Sequence, residues 1–131
     1  MKNIAKLSLA LVLTVLLTSA LLAYPVGDKE KEYDQYLIKS LQDENVGIRS
    51  SAAQLIGERK VAEAVEPLMK MLTTEENTST RIVIAIALYQ IGDQKALPTL
   101  KKVAVKDKNR TVRHVVTAIV VKMESAQFAQ K

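Results

Sequence analysis

The stretch Asp43–Arg49 reads Asp-Glu-Asn-Val-Gly-Ile-Arg, and its frame returns twice further along the chain. Glu75–Arg81 reads Glu-Glu-Asn-Thr-Ser-Thr-Arg, and Asp107–Arg113 reads Asp-Lys-Asn-Arg-Thr-Val-Arg. Each copy has an acid first, Asn third and Arg seventh, and successive copies lie 32 residues apart without slippage. A fixed period of this length is typical of stacked supersecondary units, none of which can bury its hydrophobic face alone. The chain is therefore predicted to be a repeat protein.

Apolar residues outside the motif keep the same register. The in-phase columns are Tyr36, Leu68 and Leu100; Ala64 and Ala96; and Ile56, Leu88 and Val120. Several columns in phase with the motif are hard to obtain by chance, so the repeating unit extends over the whole period.

Between the motifs, apolar residues recur at helical spacing and predict three helix pairs. First helices are expected at about 29–42, 61–73 and 94–106, and second helices begin near Val46, Arg81 and Arg110, the last ending near Glu124. The residues expected to face the core are Tyr33, Tyr36, Leu37 and Leu41; Ile48, Ala52, Leu55 and Ile56; Ala64, Val65, Leu68, Met69 and Leu72; and Val112, Val116, Ile119, Val120 and Met123.

The segment Arg81–Tyr89 has a second interpretation. It is apolar nearly all round and rich in β-branched residues, so a buried strand is an alternative that periodicity cannot exclude. The register favours a helix, because the equivalent segment Arg49–Gly57 has helical composition and spacing. A middle helix flanked on both sides should also be apolar over more of its circumference.

Residues 1–23 have the layout of a secretory signal peptide. Lys2 and Lys6 precede an uncharged run from Leu7 to Ala23, and small residues allow cleavage after Ala20 or Ala23. An uncleaved membrane anchor is the alternative, since 17 residues lie at the lower edge of what spans a bilayer. We expect an exported, periplasmic or extracellular protein, with a linker at 24–28, a repeat domain at 29–124 and a polar, fraying tail at 125–131.

Composition and charge restrict both the kind of core that the chain can form and the kinds of partner that it can bind. Among 131 residues, 48 % are apolar but only 4 % aromatic, with no Cys, so the core must be aliphatic and no disulfide supports it. Residues 24–76 carry a net charge of −4 and residues 77–131 a net charge of +7. This basic end can be a solvated face, a contact for an acidic partner or anionic surface, or half of a head-to-tail contact between two copies. Nucleic acid is the least favoured partner. The basic patch comprises Lys101, Lys102, Lys106, Lys108, Arg110 and the neighbouring Arg113.

The pattern resembles the HEAT-like repeats of armadillo-type superhelices, especially the short form of phycobilisome-lyase proteins. The first copy carries it as Asp43, Ile48-Arg49, Ala52, Ile56-Gly57, Ala64 and Leu68; the second as Glu75, Arg81, Leu88, Ile91-Gly92, Ala96, Pro98 and Leu100; the third as Asp107, Val112-Arg113 and Val120. The resemblance implies an all-α solenoid of about three helix pairs, with repeats at about 29–60, 61–92 and 93–124. It also implies a concave face formed by the second helices, whereas it indicates almost nothing about activity.

The three motif arginines open helices, where a cation opposes the helix dipole and needs compensation. The motif acids can supply it, either within their own turns or across to the adjacent repeat. A binding site for phosphate or carboxylate is the functional alternative. The predicted structural ladder comprises Asp43, Arg49, Glu75, Arg81, Asp107 and Arg113, and the motif residues Asn45, Asn77 and Asn109 are expected to tie the turns by side-chain to backbone hydrogen bonds.

A row on the second helices is the candidate partner-binding surface. In register after each Arg stand Ser50, Ile82 and His114, and four residues further on stand Gln54, Ile86 and Ala118. Exposed isoleucines flanked by polar ends would form a groove for a peptide. Burial of both isoleucines between neighbouring repeats is the alternative. The hypothesis assigns partner binding to Ile82, Ile86, Tyr89, His114 and Lys122.

No catalytic, cofactor or metal site is predicted. The chain has one His, no Cys and no Gly-rich phosphate loop, and His114 has no acid in its own helical turn. The family that the chain resembles includes bilin lyases, but no motif in this sequence identifies a catalytic residue. We therefore expect a non-catalytic binding or scaffolding module of undetermined oligomeric state. The alternative is a peripheral module attached to an anionic envelope surface or an acidic partner, and a bilin-lyase-like or other cofactor-handling subunit is third.

Overall fold

The computed structural model describes residues 26–129, which form six α-helices and no strand. The predicted signal peptide, Tyr24, Pro25 and the last two residues lie outside this range. A boundary between Glu32 and Tyr33 divides the chain into two compact units, and residues 33–129 of the second unit contain the repeats. The helices are α1 Val26–Ser40, α2 Val46–Arg59, α3 Val65–Thr74, α4 Thr78–Ile91, α5 Leu97–Lys106 and α6 Arg110–Ala129.

The helices of the second and third repeats pair as the register predicts. Packing contacts join α3 to α4 and α5 to α6 within the repeats, and α2 to α4 and α4 to α6 between neighbouring repeats. Short 3-10 turns, Ala62–Ala64 and Gln94–Ala96, precede α3 and α5 and also lie 32 residues apart. The prediction of an all-α fold built from helix pairs is confirmed, and the strand alternative for Arg81–Tyr89 is excluded.

Helix ends follow from local chemistry. The side chain of Asn45 caps α2 and that of Asn77 caps α4. Gly92 ends α4 with φ +78°, a left-handed conformation that costs glycine little. Lys60, in register with Gly92, ends α2 with φ +54°.

One apolar core runs through the repeats. Ile56, Leu68, Ile84, Leu88 and Leu100 are completely buried, and the predicted inward residues of α6 are all buried. The middle helix α4 contributes the most complete burial, because it contacts neighbours on three sides.

Three residues expected to face the core do not. Tyr33, Tyr36 and Ile48 belong to the first repeat and are exposed, whereas Leu37 and Leu41 of α1 are buried. The reason is positional, since no described repeat packs against this side of α1 and α2. Burial inferred from register holds only where a neighbouring repeat is present.

The end of the last helix also differs from expectation. α6 continues to Ala129, through five residues of the segment expected to fray. Ser125 stays helical with its hydroxyl donating to the Val121 carbonyl oxygen at 2.8 Å, and Ala126, Gln127 and Ala129 are compatible with helix. At the other terminus, α1 already includes residues 26–28 of the expected linker.

Gly57 sets the distance between α2 and α4. A Cβ built on Gly57 would lie 2.7 Å from the Cα of Ala87 and would collide with the Gln90 side-chain oxygen. Because Cα belongs to the backbone, it cannot move aside without shifting the helix. The small residues at this contact let the first two repeats approach closely.

We predict that Gly57→Ala lowers the free energy of unfolding by about 1–3 kcal/mol or more, because overpacking forces α2 and α4 apart. Urea denaturation measures the change. Gly27→Ala is the matched control, since a Cβ there meets nothing within 4 Å. Equal stability of the two variants would show that α2 and α4 do not approach as described.

Candidate functional site

The first inter-repeat contact joins the motif arginine of one turn to the motif acid of the next. The Arg49 guanidinium donates from Nε to Glu75 Oε2 at 2.8 Å and from Nη2 to Oε1 at 3.2 Å. This two-point arrangement matches the planar fork of arginine to a carboxylate. We call each such pair a rung.

The second rung repeats the geometry in a more buried setting. Arg81 donates from Nε to Asp107 Oδ2 at 2.9 Å and from Nη2 to Oδ1 at 3.0 Å. Both side chains are buried, with 4 % and 7 % of their surfaces exposed. Of the two arrangements that the sequence left open, the structure has the contact between adjacent repeats.

Each motif arginine also closes its own turn. Nη1 of Arg49 donates to the carbonyl oxygens of Asp43 and Glu44, and Nη1 of Arg81 donates to those of Glu75 and Glu76. These bonds and the rung compensate for a cation in the first turns of a helix. Arg49 and Arg81 are therefore structural.

The other motif residues complete the turns. Side-chain oxygens of Asn45, Asn77 and Asn109 accept backbone N–H groups from the following helices, which confirms the predicted ties. The motif acids Asp43, Glu75 and Asp107 accept the N–H of the Asn in their own turns at 2.8–2.9 Å. Every conspicuous residue of the motif thus has a partner within the scaffold.

The ladder is open at both ends. Arg113 donates to the Asp107 carbonyl oxygen at 2.6 Å, but no carboxylate within residues 26–129 forms an ion pair with it. Asp43 accepts the Asn45 N–H, and no described cation forms an ion pair with it. Two rungs therefore join three turns.

The rungs shift the titration of their acids. The hydrogen bond from Arg49 holds the pKa of Glu75 below its usual range, helped by the backbone N–H of Asn77. Burial raises the pKa of Asp107, but the Arg81 hydrogen bond and the Asn109 N–H together outweigh it and leave the pKa lowered. Glu75 in turn raises the pKa of Arg49.

These shifts predict a pH dependence of stability. Because Glu75 and Asp107 have lower pKa values in the folded state, their contribution is complete above the unfolded-state pKa values and is lost as pH falls through the folded ones. We expect the free energy of unfolding to drop between pH 6 and pH 3 in urea titrations. The double variant Glu75→Gln, Asp107→Asn should be less stable at pH 6 and show a flatter profile. An unchanged slope would mean that the rungs do not carry this dependence.

The candidate partner-binding row is only partly exposed. Ile86 and Tyr89 of α4 are 40 % and 39 % exposed, and the Lys122 ammonium lies 6.0 Å from the Tyr89 ring centroid. His114 of α6 is exposed, at the register position that Ile82 occupies on α4. Ile82 does not face outward as hypothesised, because α4 has neighbours on both flanks and Ile82 packs partly against the core. The apolar patch is therefore Ile86 and Tyr89.

The predicted basic patch divides into two parts. Lys101 pairs with Glu124 at 2.6 Å on the outside of the third repeat, a partner that the repeat pattern did not indicate. Lys102, Lys106 and Lys108 line a cleft of about 410 Å³ between the second and third repeats, beside the buried rung. Arg110 is exposed at the start of α6.

A further cleft, of about 850 Å³, lies between the first and second repeats beside Arg49. Its lining includes Asp43, Glu66 and Glu75 as well as Lys70, so the cleft does not favour ligands of one charge sign over the other. Across residues 26–129, no group of three or more His, Cys, Asp or Glu residues could hold a metal ion. No helix in that part of the chain is long and apolar enough to cross a membrane.

Comparison with known proteins agrees with the geometry. The sequence matches the family model described as HEAT repeats over residues 35–119, which covers both rungs and most of the helices. No curated protein matches the sequence.

Proposed function

The chain belongs to the HEAT-repeat family, and from that premise we propose that it binds a protein or peptide on the exposed face of its second helices, at Ile86 and Tyr89. HEAT repeats generally mediate protein–protein interaction and are generally non-catalytic. The observation that carries the proposal is the exposure of these two large apolar side chains on a middle helix that buries Ile84, Ala85, Ala87 and Leu88.

The surroundings of the patch suit an interface. Polar and charged side chains are exposed on the adjacent second helices, with Gln54 and Glu58 on α2 and His114 and Lys122 on α6, and the Lys122 ammonium lies 6.0 Å from the Tyr89 ring centroid. Protein interfaces combine an apolar centre, enriched in tyrosine, with a polar rim. A peptide lying across the three second helices would contact the centre through α4 and the rims through α2 and α6.

Export is part of the proposal. The cationic start and apolar run of residues 1–23 support delivery to the periplasm or cell exterior, with an N-terminal anchor as the alternative. The partner is then an envelope or extracellular protein.

We predict that Ile86→Asp abolishes recovery of this partner in pull-downs from envelope extract, or weakens its binding at least about tenfold, while leaving the free energy of unfolding within about 0.5 kcal/mol. Val105→Asp is the matched control, because Val105 is an exposed apolar residue away from the α4 face. Equal recovery by both variants would refute the site. Reduced stability of Ile86→Asp would show that the patch belongs to the core.

The charge of the third repeat favours a second candidate, a peripheral module held to an anionic envelope surface. Lys102, Lys106 and Lys108 are exposed on the side of the motif turns. Adhesion of this kind fades at high salt, whereas binding in an apolar groove persists. Co-sedimentation with phosphatidylglycerol vesicles at two salt concentrations, using a Lys102→Glu, Lys106→Glu variant, separates the two candidates. Binding of a tetrapyrrole would instead favour the third candidate, a bilin-lyase-like subunit.

A further inference from the structure

The unpaired rung residues lie at opposite ends of the stack. Arg113 occupies the register position at which Arg49 and Arg81 each hold a carboxylate of the following repeat. Asp43 occupies the position at which Glu75 and Asp107 each hold an arginine of the preceding repeat. Among the described residues, an arginine without a partner carboxylate at one end thus matches a carboxylate without a partner arginine at the other.

The outer surface of the first repeat, which we call the leading face, carries exposed apolar side chains. Tyr36 is 63 % exposed, whereas Leu68 and Leu100 at the same register position are completely buried. Ile48 is exposed, whereas its register mates Thr80 and Val112 are buried. Together with Tyr33 and Leu55, these side chains line a groove of about 340 Å³ between α1 and α2. The leading face has the composition of an inter-repeat interface.

The surface around Arg113, which we call the trailing face, has exposed side chains at register positions that are buried in the first repeat. Thr117 is exposed on α6, while Ala53 and Ala85 at the same register position are completely buried. Val121 is 55 % exposed; of its two register mates, Gly57 lies against Ala87 of the following repeat and Tyr89 is 39 % exposed. In a repeat array, terminal units with polar outer faces close the stack. The leading face of this stack, with Tyr33, Tyr36 and Ile48 exposed, is not closed in that way.

The net charges of the two halves are opposite, −4 for residues 24–76 and +7 for residues 77–131. The leading face lies in the acidic half and the trailing face in the basic half. Charge complementarity therefore favours contact between unlike faces over contact between like faces.

We propose that copies of this chain associate head to tail, with the trailing face of one copy on the leading face of the next. The contact continues the internal register: Arg113 of one copy pairs with Asp43 of the next and adds a third rung. By analogy with the contact of Gly57 and Ala87 between the first two repeats, Val121 of one copy would lie against Leu55 of the next. Such a contact is heterologous, so it generates a ring or a filament. The contact does not involve Ile86, and Val121 occupies on α6 the register position that Tyr89 holds on α4.

Sedimentation velocity of the purified full chain tests the arrangement. We expect concentration-dependent oligomers that Tyr36→Glu, on the leading face, and Val121→Glu, on the trailing face, each weaken at least about tenfold, because a buried unpaired charge opposes association. A mixture of the two variants should form a one-to-one dimer that grows no further, since each supplies the face that the other has lost. Ile86→Glu is the matched control and should associate as the parent chain does.

Cysteine cross-linking gives a second measurement that does not depend on solubility at high concentration. The parent chain has no cysteine, so every disulfide reports an introduced pair. A chain carrying both Leu55→Cys and Val121→Cys should give a ladder of cross-linked oligomers, which Arg113→Glu removes. Chains carrying either cysteine alone should give no ladder.

Three outcomes would overturn the proposal. A parent chain that stays monomeric and uncross-linked would show that other residues or another protein cover these faces. Dimers that persist in Val121→Glu alone, or in Tyr36→Glu alone, would show contact between like faces. Oligomers lost in Ile86→Glu but kept in both end-face variants would place self-association on the proposed partner site.

Discussion

Arg81→Met is expected to lower the free energy of unfolding by about 3–5 kcal/mol, the cost typical of removing one member of a buried ion pair. The substitution leaves the Asp107 carboxylate buried without its fork and removes the donor to the Glu75 and Glu76 carbonyl oxygens. Methionine fills much of the same volume, so the loss reports charge and hydrogen bonding rather than a cavity. Urea denaturation near neutral pH gives the value.

Arg113→Met is the matched control. It changes the same residue type at the same register position, but the side chain it removes makes no rung within the described residues and donates to the Asp107 carbonyl oxygen. Its expected cost is about 1 kcal/mol. Similar losses in the two variants would mean that the rung contributes nothing beyond closure of the turn.

The second large effect is expected at the centre of the core. Leu88→Ala should cost about 2–5 kcal/mol, because it opens a cavity at a completely buried position of the middle helix. Ile84→Ala should behave alike, since its side chain is also completely buried. Ile86→Ala on the exposed side of α4 should cost much less. Thermal melts with an unchanged midpoint for Leu88→Ala would contradict the placement of α4 between its neighbours.

The 32-residue period made most of the fold predictable. The segment Arg81–Tyr89 taken alone is also compatible with a buried strand; its alignment with Arg49–Gly57, and its place between two flanking repeats, favoured a helix. The structure has α4 there, from Thr78 to Ile91. Local signals were sufficient for the turns as well, because Asn as an N-cap and Gly92 as a left-handed C-cap act through short-range hydrogen bonds and backbone conformation.

Solvent exposure was less predictable, because it depends on neighbours rather than on the helix itself. Tyr36 has the pattern of a core residue, yet it is exposed where no described repeat covers it. Ile82 has the pattern of a surface row, yet α4 is flanked on both sides and buries it in part. Register identifies which positions are equivalent, and the number of adjacent repeats decides their exposure.

The ladder of motif acids and arginines was also predictable only in part. Sequence spacing identified the acids and arginines but left open whether each acid holds the arginine of its own turn or that of the preceding repeat. The turn geometry decides, since Nη1 of Arg49 is occupied by the carbonyl oxygens of its own turn while Nε and Nη2 point to Glu75. The pairing of Lys101 with Glu124 has no counterpart in the other repeats, so periodicity could not reveal it.

A double-mutant cycle on Arg81 and Asp107 tests most directly the claim that each motif turn holds the turn of the adjacent repeat. Arg81→Met and Asp107→Leu each leave a buried charge unpaired, whereas the double variant removes both charges. We predict that the double variant loses less stability than the sum of the single losses, by at least about 2 kcal/mol. Losses that add within about 0.5 kcal/mol would contradict the claim, because independent sites behave in that way.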